Sequence, residues 1–176
     1  MWVKVWQSGS KWRRMNPGAV ILKGKVELMF LGEFYHNLDE KGRLTVPAKY
    51  RELLVVDGAY ITHGFDPNLM VLPMPFFEMI AHTIRKLSLT DPEARLLRRI
   101  FFSGASLLEV DKAGRILIPQ NLRKFAGLEN EVVITGVGDH FEIWSADQWR
   151  VQDEEIQKAQ GDAQRFIAMG LSSEDI

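Results

Sequence analysis

The clearest pattern in the chain is an alternation of apolar and polar residues that occurs twice, 72 positions apart. In the first copy, Leu44 and Val46 alternate with Arg43 and Thr45. Residues 115–118 repeat this pattern in the second copy. Because successive side chains of a strand point to opposite faces, each segment is predicted to be a short strand with one buried face and one outward face.

Each alternating segment lies between a turn and a short helix. An Asp-x-x-Gly-Arg sequence precedes the segments, at residues 39–43 and 111–115. In such a turn the aspartate can accept hydrogen bonds from its own backbone, and the glycine can adopt a positive φ. A proline follows each strand, and we place it at the first position of helices over 47–54 and 119–126, where its missing N–H costs nothing.

Two further strands follow each helix, and an apolar run precedes each turn. Each copy is thus predicted to be a strand–turn–strand–helix–strand–strand unit of roughly 45 residues, which is too small to be stable alone. We therefore expect the two copies to pair about a pseudo-twofold axis and to share one core. The other predicted strands are 31–38, 59–63 and 69–72 in the first copy, and 105–110, 131–135 and 141–144 in the second.

A helical connector is predicted between the two copies. Pro75 opens an amphipathic segment that ends at Leu87, and the capping-box sequence at 90–93 opens a second helix that reaches Phe102. A further helix is predicted over 146–169. The predicted organisation is an N-terminal extension (1–28), a first repeat (29–75), a helical connector (76–104), a second repeat (105–150), and a C-terminal helix and tail (151–176).

The amino-acid composition limits the cellular compartments and the classes of partner that the chain is expected to have. The chain has 176 residues, of which 46% are apolar, no cysteine and a net charge of −1, so a disulfide scaffold and thiolate metal sites are excluded. No apolar run approaches the roughly 18 residues of a membrane span, and we expect a cytoplasmic protein without a membrane partner. The total charge is near neutral, so any nucleic-acid contact has to come from a local patch.

Signals for catalysis or metal binding are weak. The four histidines form no HExxH motif, and Gly136-Val-Gly138 lacks the third glycine of a dinucleotide-binding loop. Asp139-His140-x-Glu142 contains metal-ligand types, but it aligns with a turn of the first copy, and a turn is the favoured interpretation. We therefore expect no enzyme activity, no catalytic residue, no metal or other cofactor, and no small-molecule substrate.

The duplicated motif resembles that of the MraZ proteins, bacterial transcriptional regulators of the division and cell-wall gene cluster. The opening Met29-Phe-Leu-Gly-Glu and the connector sequences Thr90-Asp-Pro-Glu-Ala-Arg and Ser103-Gly-Ala extend the resemblance, which covers residues 29 to about 150. It implies an α+β fold in which two tandem SpoVT-AbrB-like swapped-hairpin halves form one pseudo-twofold β-barrel with connector and C-terminal helices. It also implies a homo-oligomeric ring, repression through double-stranded DNA at short direct repeats in its own promoter, and association with the nucleoid.

Carried onto this sequence, the family's DNA-binding motif falls on residues 39–43 and 111–115. Arginine can read guanine through two hydrogen bonds, whereas lysine suits phosphates. The predicted DNA contacts are Lys41, Arg43, Thr45, Lys49, Lys112 and Arg115, and the residues predicted to support the turns are Asp39, Gly42, Asp111 and Gly114.

The two copies are not expected to contribute equally. In the second copy Ala113 and Leu117 stand where the first has a lysine and a threonine. The first copy therefore offers more hydrogen-bond donors to DNA, and the second is expected to brace the barrel or a neighbouring subunit. Accordingly, Arg43→Ala is expected to weaken DNA binding more than Arg115→Ala.

Four points stay open on the sequence alone. The Asp–Arg pairs of the two turns equally suit structural ion pairs, and Arg51 and Arg123 are expected to have a structural role, with phosphate contact second. The chain also suits an AbrB-fold protein-interaction module, antitoxin-like or a scaffold, whose main partner is a protein. Residues 1–28 lie outside the resemblance: they are either a basic arm or, as we favour, a segment that precedes a true start at Met29.

Overall fold

The structure is a computed structural model that describes residues 29–160 and Asp162, without the side chains of Val56 and Asp57. In the preceding segment it describes the backbone of four strands, which pair as two antiparallel hairpins. These strands are β1 (Val3–Gln7), β2 (Lys11–Met15), β3 (Ala19–Leu22) and β4 (Lys25–Leu28). The last helix ends at Gln160 and Asp162 is not helical, so the helix predicted over 146–169 is shorter than expected; residues 161 and 163–176 lie outside the described residues.

The first repeat and the connector follow the predicted order of elements. Strand β6 is one residue shorter than the predicted alternating segment, and β8 is one residue longer than predicted. Both connector helices are present, and a proline lies in the first turn of each. The elements are β5 (Phe30–Asn37), β6 (Arg43–Thr45), α1 (Ala48–Asp57), β7 (Ala59–His63), β8 (Leu69–Pro73), α2 (Met74–Lys86) and α3 (Pro92–Ser103).

The second repeat has the same order of elements and ends in a longer helix. Its third strand is extended beyond the prediction to Gly138, where it pairs with the start of β5. Within the described chain, no helix is both long enough and apolar enough to cross a membrane. The elements are β9 (Ser106–Leu108), β10 (Arg115–Leu117), α4 (Gln120–Phe125), β11 (Glu131–Gly138), β12 (Phe141–Ser145) and α5 (Ala146–Gln160).

Three helix starts differ from the predictions. Pro47 and Pro119 precede their helices by one residue, with extended ψ values of 135° and 143°, so each proline is the N-cap and not the first helical residue. At α3 the N-cap is Asp91, whose side chain accepts a hydrogen bond from the Glu93 N–H at 2.9 Å. The hydroxyl of Thr90 is instead hydrogen-bonded to that of Ser88, because an aspartate one position later offers the stronger acceptor.

The two repeats interleave their strands in one six-stranded antiparallel sheet of order β5-β11-β12-β8-β7-β9. Strand β5 of the first repeat pairs with β11 of the second, and β9 of the second pairs with β7 of the first. At the centre, β8 and β12 pair with Met70 opposite Glu142, and these residues are equivalent in the two repeats. The pairing pattern is therefore symmetric about this central pair.

Strands β6 and β10 form a separate two-stranded antiparallel ribbon. Single bridges pair Leu44 with Leu38, which follows β5, and Ile116 with Val110, which follows β9. The described strands are thus not joined by one continuous ladder, and the closed barrel remains a prediction.

One hydrophobic core draws on both repeats. Tyr50 is fully buried and packs edge-on against Phe30 and tilted against Phe141, with ring centroids 5.0 and 5.2 Å away. Leu44 and Ile116, from the inner face of the ribbon, are also fully buried in this core. Because each repeat supplies about half of this shared core, neither repeat can bury its apolar face without the other.

Candidate nucleic-acid interface

The turn before β6 is organised by the carboxylate of Asp39. Its Oδ1 accepts hydrogen bonds from the backbone N–H groups of Lys41 (3.0 Å) and Arg43 (2.9 Å), and its Oδ2 accepts one from Arg43 Nε (2.6 Å). Gly42 adopts a φ of +76°, which favours glycine. These bonds hold the ionised carboxylate, and the backbone bond from Arg43 is the largest cause of the lowered pKa of Asp39.

The turn before β10 repeats this geometry. Asp111 Oδ1 accepts from the backbone N–H groups of Ala113 and Arg115, both at 2.9 Å. Its Oδ2 lies 2.9 Å from Arg115 Nε and 2.8 Å from Nη2. The side-chain bond from Arg115 is the largest cause of the lowered pKa of Asp111, and Gly114 has the same φ of +76°.

The ribbon places both arginines on one outward face. Its register sets Arg43 opposite Leu117 and Thr45 opposite Arg115. The arginine side chains are 31% and 32% exposed, whereas the alternating inner residues are fully buried. The alternation predicted these faces, but not that strands from the two repeats combine them into one surface.

The two turns are also coupled electrostatically. Arg115 Nη1 lies 3.9 Å from Asp39 Oδ2, the oxygen that accepts from Arg43. The guanidinium group of Arg115 therefore faces two carboxylates, one from each repeat. Arg43, by comparison, is held through Nε.

Arg51 and Arg123 brace the turns crosswise. Arg51 donates from Nε to the Val46 carbonyl (2.8 Å), and its guanidinium group occupies the space that a Cβ on Gly114 would need. Arg123 donates from Nε to the Ile118 carbonyl (3.2 Å) and covers Gly42 in the same way, 2.6 Å from an ideal Cβ.

Backbone hydrogen bonds also connect each turn to the other repeat. The Val46 N–H donates to the Gly114 carbonyl (2.9 Å), and the Ile118 N–H donates to the Gly42 carbonyl (3.0 Å). Each turn is therefore held by the other repeat. The structural role expected for Arg51 and Arg123 fits this geometry, although the sequence offered no sign that each arginine acts on the opposite turn.

The surface around the ribbon is moderately basic. Lys41 and Lys112 are exposed at the two turns, beside Glu40. The two turns and the bracing arginines together carry six basic and three acidic side chains, within a chain whose net charge is −1. These described side chains therefore carry a net charge of +3, which makes the surface around the ribbon a local basic patch.

Comparison with known proteins assigns the chain to a family. The family described as "MraZ protein, putative antitoxin-like" has a model that matches residues 29–100 and again residues 101–168. The chain belongs to the MraZ family. A relative named "Transcriptional regulator MraZ" from Herpetosiphon aurantiacus is 47% identical over 144 residues, which cover 81% of this chain and 100% of the relative.

Two further relatives carry the same name. The protein of Thermomicrobium roseum is 44% identical over 126 residues, 72% of this chain and 88% of its own. That of Syntrophomonas wolfei is 40% identical over 144 residues, 81% of this chain and 100% of its own. Membership in the MraZ family, expected from the duplicated motif, is thereby confirmed.

One predicted contact of this MraZ-family protein lies apart from the ribbon. The ammonium group of Lys49 donates to the Leu31 carbonyl and lies 4.6 Å from the centre of the Phe34 ring. Leu31 is near the start of β5, whereas the Asp39 turn follows its end, roughly 20 Å away along an extended strand. The structure therefore places the Lys49 ammonium group away from the Asp39 turn, where Lys41 and Arg43 lie.

Two side chains of the candidate metal-ligand sequence at 139–142 contact aromatic residues. His140 stacks on Phe76 with ring centroids 5.8 Å apart, and Glu142 accepts a hydrogen bond from Trp144 Nε1 at 2.9 Å. Burial raises the pKa of Glu142 and lowers that of His140. Among the described residues, no three histidine or acidic side chains are grouped in a way that could hold a metal ion.

Proposed function

We propose that this protein is a sequence-specific, DNA-binding transcriptional regulator whose β6–β10 ribbon enters the major groove. The observation that carries the proposal is the pair of arginines, Arg43 and Arg115, held by carboxylates on one outward face. A side chain fixed in this way loses less conformational entropy when it binds. The names of the curated relatives agree with a regulatory role.

The dimensions of the ribbon suit this groove. The B-DNA major groove is about 12 Å wide and admits a two-stranded β-ribbon, whose strands lie about 5 Å apart. Outward residues two positions apart on one strand are separated by about 6.7 Å, close to two base-pair steps. The four outward side chains of the ribbon thus span two to three base pairs.

Each predicted contact has a chemical role in this proposal. Arg43 and Arg115 donate to the N7 and O6 atoms of guanine, and Thr45 offers a hydroxyl to a neighbouring base edge. Lys41 and Lys112 lie at the turns, where phosphates flank the groove, and supply affinity without reading sequence. The supporting roles belong to Asp39, Gly42, Asp111 and Gly114, which fix the two turns.

Lys49 has a different role here. Its ammonium group caps a carbonyl at the free edge of β5 and covers Phe34, which blocks the pairing of that edge with another chain. It contributes to DNA affinity through its charge alone.

Regulation of a promoter requires several copies of the ribbon, because one ribbon reads few base pairs. A homo-oligomeric ring on short direct repeats multiplies weak contacts through effective concentration. By the family resemblance, the ring represses its own promoter in the division and cell-wall gene cluster, at the nucleoid in the cytoplasm. Closure of the barrel through the single bridges beside the ribbon belongs to the same proposal.

Electrophoretic mobility shifts at several salt concentrations test the proposal, with DNA from upstream of the protein's own coding sequence and a scrambled control. A regulator of this kind prefers the upstream DNA, and its log affinity falls steeply with log salt as counterions are released. Equal binding to both DNAs, or no binding, would contradict it. If the chain is instead a protein-interaction module, it does not bind DNA, and its affinity for the protein partner changes little with salt. A monomer in light scattering at micromolar concentration would contradict the ring.

A further inference from the structure

We propose that Leu117 is a specificity-determining residue that contacts the C5-methyl group of a thymine beside the guanine read by Arg43. This inference rests on the proposed function, since it assigns a further contact on the same ribbon. It changes the interpretation of the second repeat, where the leucine replaces the threonine of the first repeat and reads a different chemical group.

Leu117 is placed for this contact by the register of the ribbon. It lies directly opposite Arg43, and opposite residues of an antiparallel pair have Cβ atoms about 5 Å apart. Its side chain is on the outward face and 61% exposed, while both its neighbours in sequence are fully buried. The ribbon thus presents a large apolar group immediately beside a guanine-reading guanidinium group.

The base edges in the major groove determine which group Leu117 contacts most favourably. Among the base edges in the major groove, the C5-methyl group of thymine is the apolar feature, whereas cytosine carries only a hydrogen at C5. Leucine over a thymine buries apolar surface from both partners. Over a cytosine the same leucine meets a C5 hydrogen in place of the methyl group and buries less apolar surface. A preference for thymine over cytosine follows.

The same geometry makes the two ends of the ribbon chemically different. At one end Arg43 is beside Leu117, and at the other end Arg115 is beside Thr45. A backbone with near-twofold pairing therefore presents two different reading pairs. The site that it reads is expected to be non-palindromic, with the methyl contact at the end that Arg43 occupies.

Replacement of thymine by deoxyuridine tests the contact, because it removes the methyl group and keeps the hydrogen-bonding edge. Binding of the full chain to its upstream DNA is measured in thymine and deoxyuridine forms by fluorescence anisotropy. For one methyl group per ribbon, we expect wild type to bind the deoxyuridine form about fourfold more weakly for each ribbon that contacts the DNA. Leu117→Ala is expected to bind both forms equally, and Leu107→Ala, which alters an exposed leucine on β9, to keep the wild-type difference.

The outcomes separate this inference from the proposed function. Sequence-specific binding that does not respond to deoxyuridine, or a Leu117→Ala variant that keeps the thymine preference, overturns the methyl contact and leaves the regulator role intact. Absence of binding to either form overturns both. Light scattering of Leu117→Ala gives a further check, because loss of assembly in this variant would identify the leucine as a subunit contact and overturn the inference.

Discussion

The guanidinium group of Arg51 lies against Gly114, a residue of the other repeat, in the space that a Cβ would occupy. The equivalent residues Arg123 and Gly42 make the same contact in the opposite direction. Each arginine also binds a carbonyl at the end of its own ribbon segment. The shape of each proposed DNA-binding turn is therefore set by the repeat to which it does not belong.

Substitution of Gly114 by alanine is expected to destabilise the protein by about 2–3 kcal/mol. A left-handed conformation costs a non-glycine residue about 1–2 kcal/mol, and displacement of the Arg51 side chain from its hydrogen bond adds about 1 kcal/mol. Urea unfolding followed by circular dichroism measures the difference.

The control for this variant is Gly127→Ala. Gly127 also has a positive φ, +59°, but an added Cβ meets no atom within 4 Å. It is expected to lose only the conformational part, about 1 kcal/mol. In an Arg51→Ala background the extra cost of Gly114→Ala is expected to disappear. An equal loss for the two glycine variants would show that the arginine does not brace the turn.

Acid is expected to loosen both turns. The pKa values of Asp39 and Asp111 are lowered in the folded state by hydrogen bonds from Arg43 and Arg115, so the ionised forms stabilise the fold. That contribution is complete above the unfolded pKa of about 3.9 and is lost as the pH falls through the lower folded values. The urea concentration at the midpoint of unfolding is therefore expected to decrease when the pH is lowered below about 4.

Asparagine variants check the origin of this acid response. The combined substitution Asp39→Asn and Asp111→Asn is expected to reduce stability near pH 7 and to flatten its decline in acid. Glu40→Gln, in an exposed residue of the same turn, is expected to leave the curve unchanged. A decline as steep in the double variant as in the wild type would place the titrating groups elsewhere.

Alkali is expected to act through Tyr50. Burial raises the pKa of Tyr50 to about 12, and its hydroxyl donates to the Gly32 carbonyl at 3.2 Å. Because the folded pKa lies above the unfolded value of about 10, stability is complete below about pH 10 and falls between about pH 10 and 12. Stability measured over this range should fall less steeply in Tyr50→Phe than in Tyr60→Phe, and identical slopes would contradict the assignment.

The two ribbon arginines are expected to contribute unequally to operator affinity. Arg115 is held through two nitrogens by Asp111 and faces Asp39 with its third, whereas Arg43 is held through Nε. More of the guanidinium nitrogens of Arg43 are free to donate to a guanine. Arg43→Ala is therefore expected to reduce the binding free energy by about 2–3 kcal/mol, and Arg115→Ala by about 1 kcal/mol. Anisotropy titrations of the two variants measure both losses, and the reverse order would contradict the asymmetry.

The sequence predicted the local features of this surface well. The alternation at 43–46 and 115–118 identified the buried and outward faces, because period-two patterning reflects burial directly. The Asp-x-x-Gly-Arg sequence predicted the turns, since the carboxylate and its backbone partners lie within five residues of one another. These features depend on contacts that are near in the chain.

Contacts between the repeats could not be predicted in the same way. Nothing local in β6 specifies that it pairs with β10. The alternation placed Leu117 on an outward face, but the composite face and the position of Leu117 opposite Arg43 required the structure. The position of Lys49 also depends on tertiary packing, because a helix residue can face the ribbon or the edge of β5 with the same local pattern. Prolines 47 and 119 fell one residue outside their helices, a boundary that periodicity does not resolve.

The most direct test of the composite ribbon is the sequence preference of the Arg43→Ala, Arg115→Ala double variant. Its control, Lys86→Ala with Arg99→Ala, removes the same charge from exposed positions on the connector helices. Binding to upstream and scrambled DNA is measured at a fixed salt concentration. We predict that the ribbon variant binds both DNAs equally and weakly, while the control keeps its preference for the upstream DNA. A ribbon variant that still prefers the upstream DNA, or a control that loses the preference to the same extent, would contradict the account.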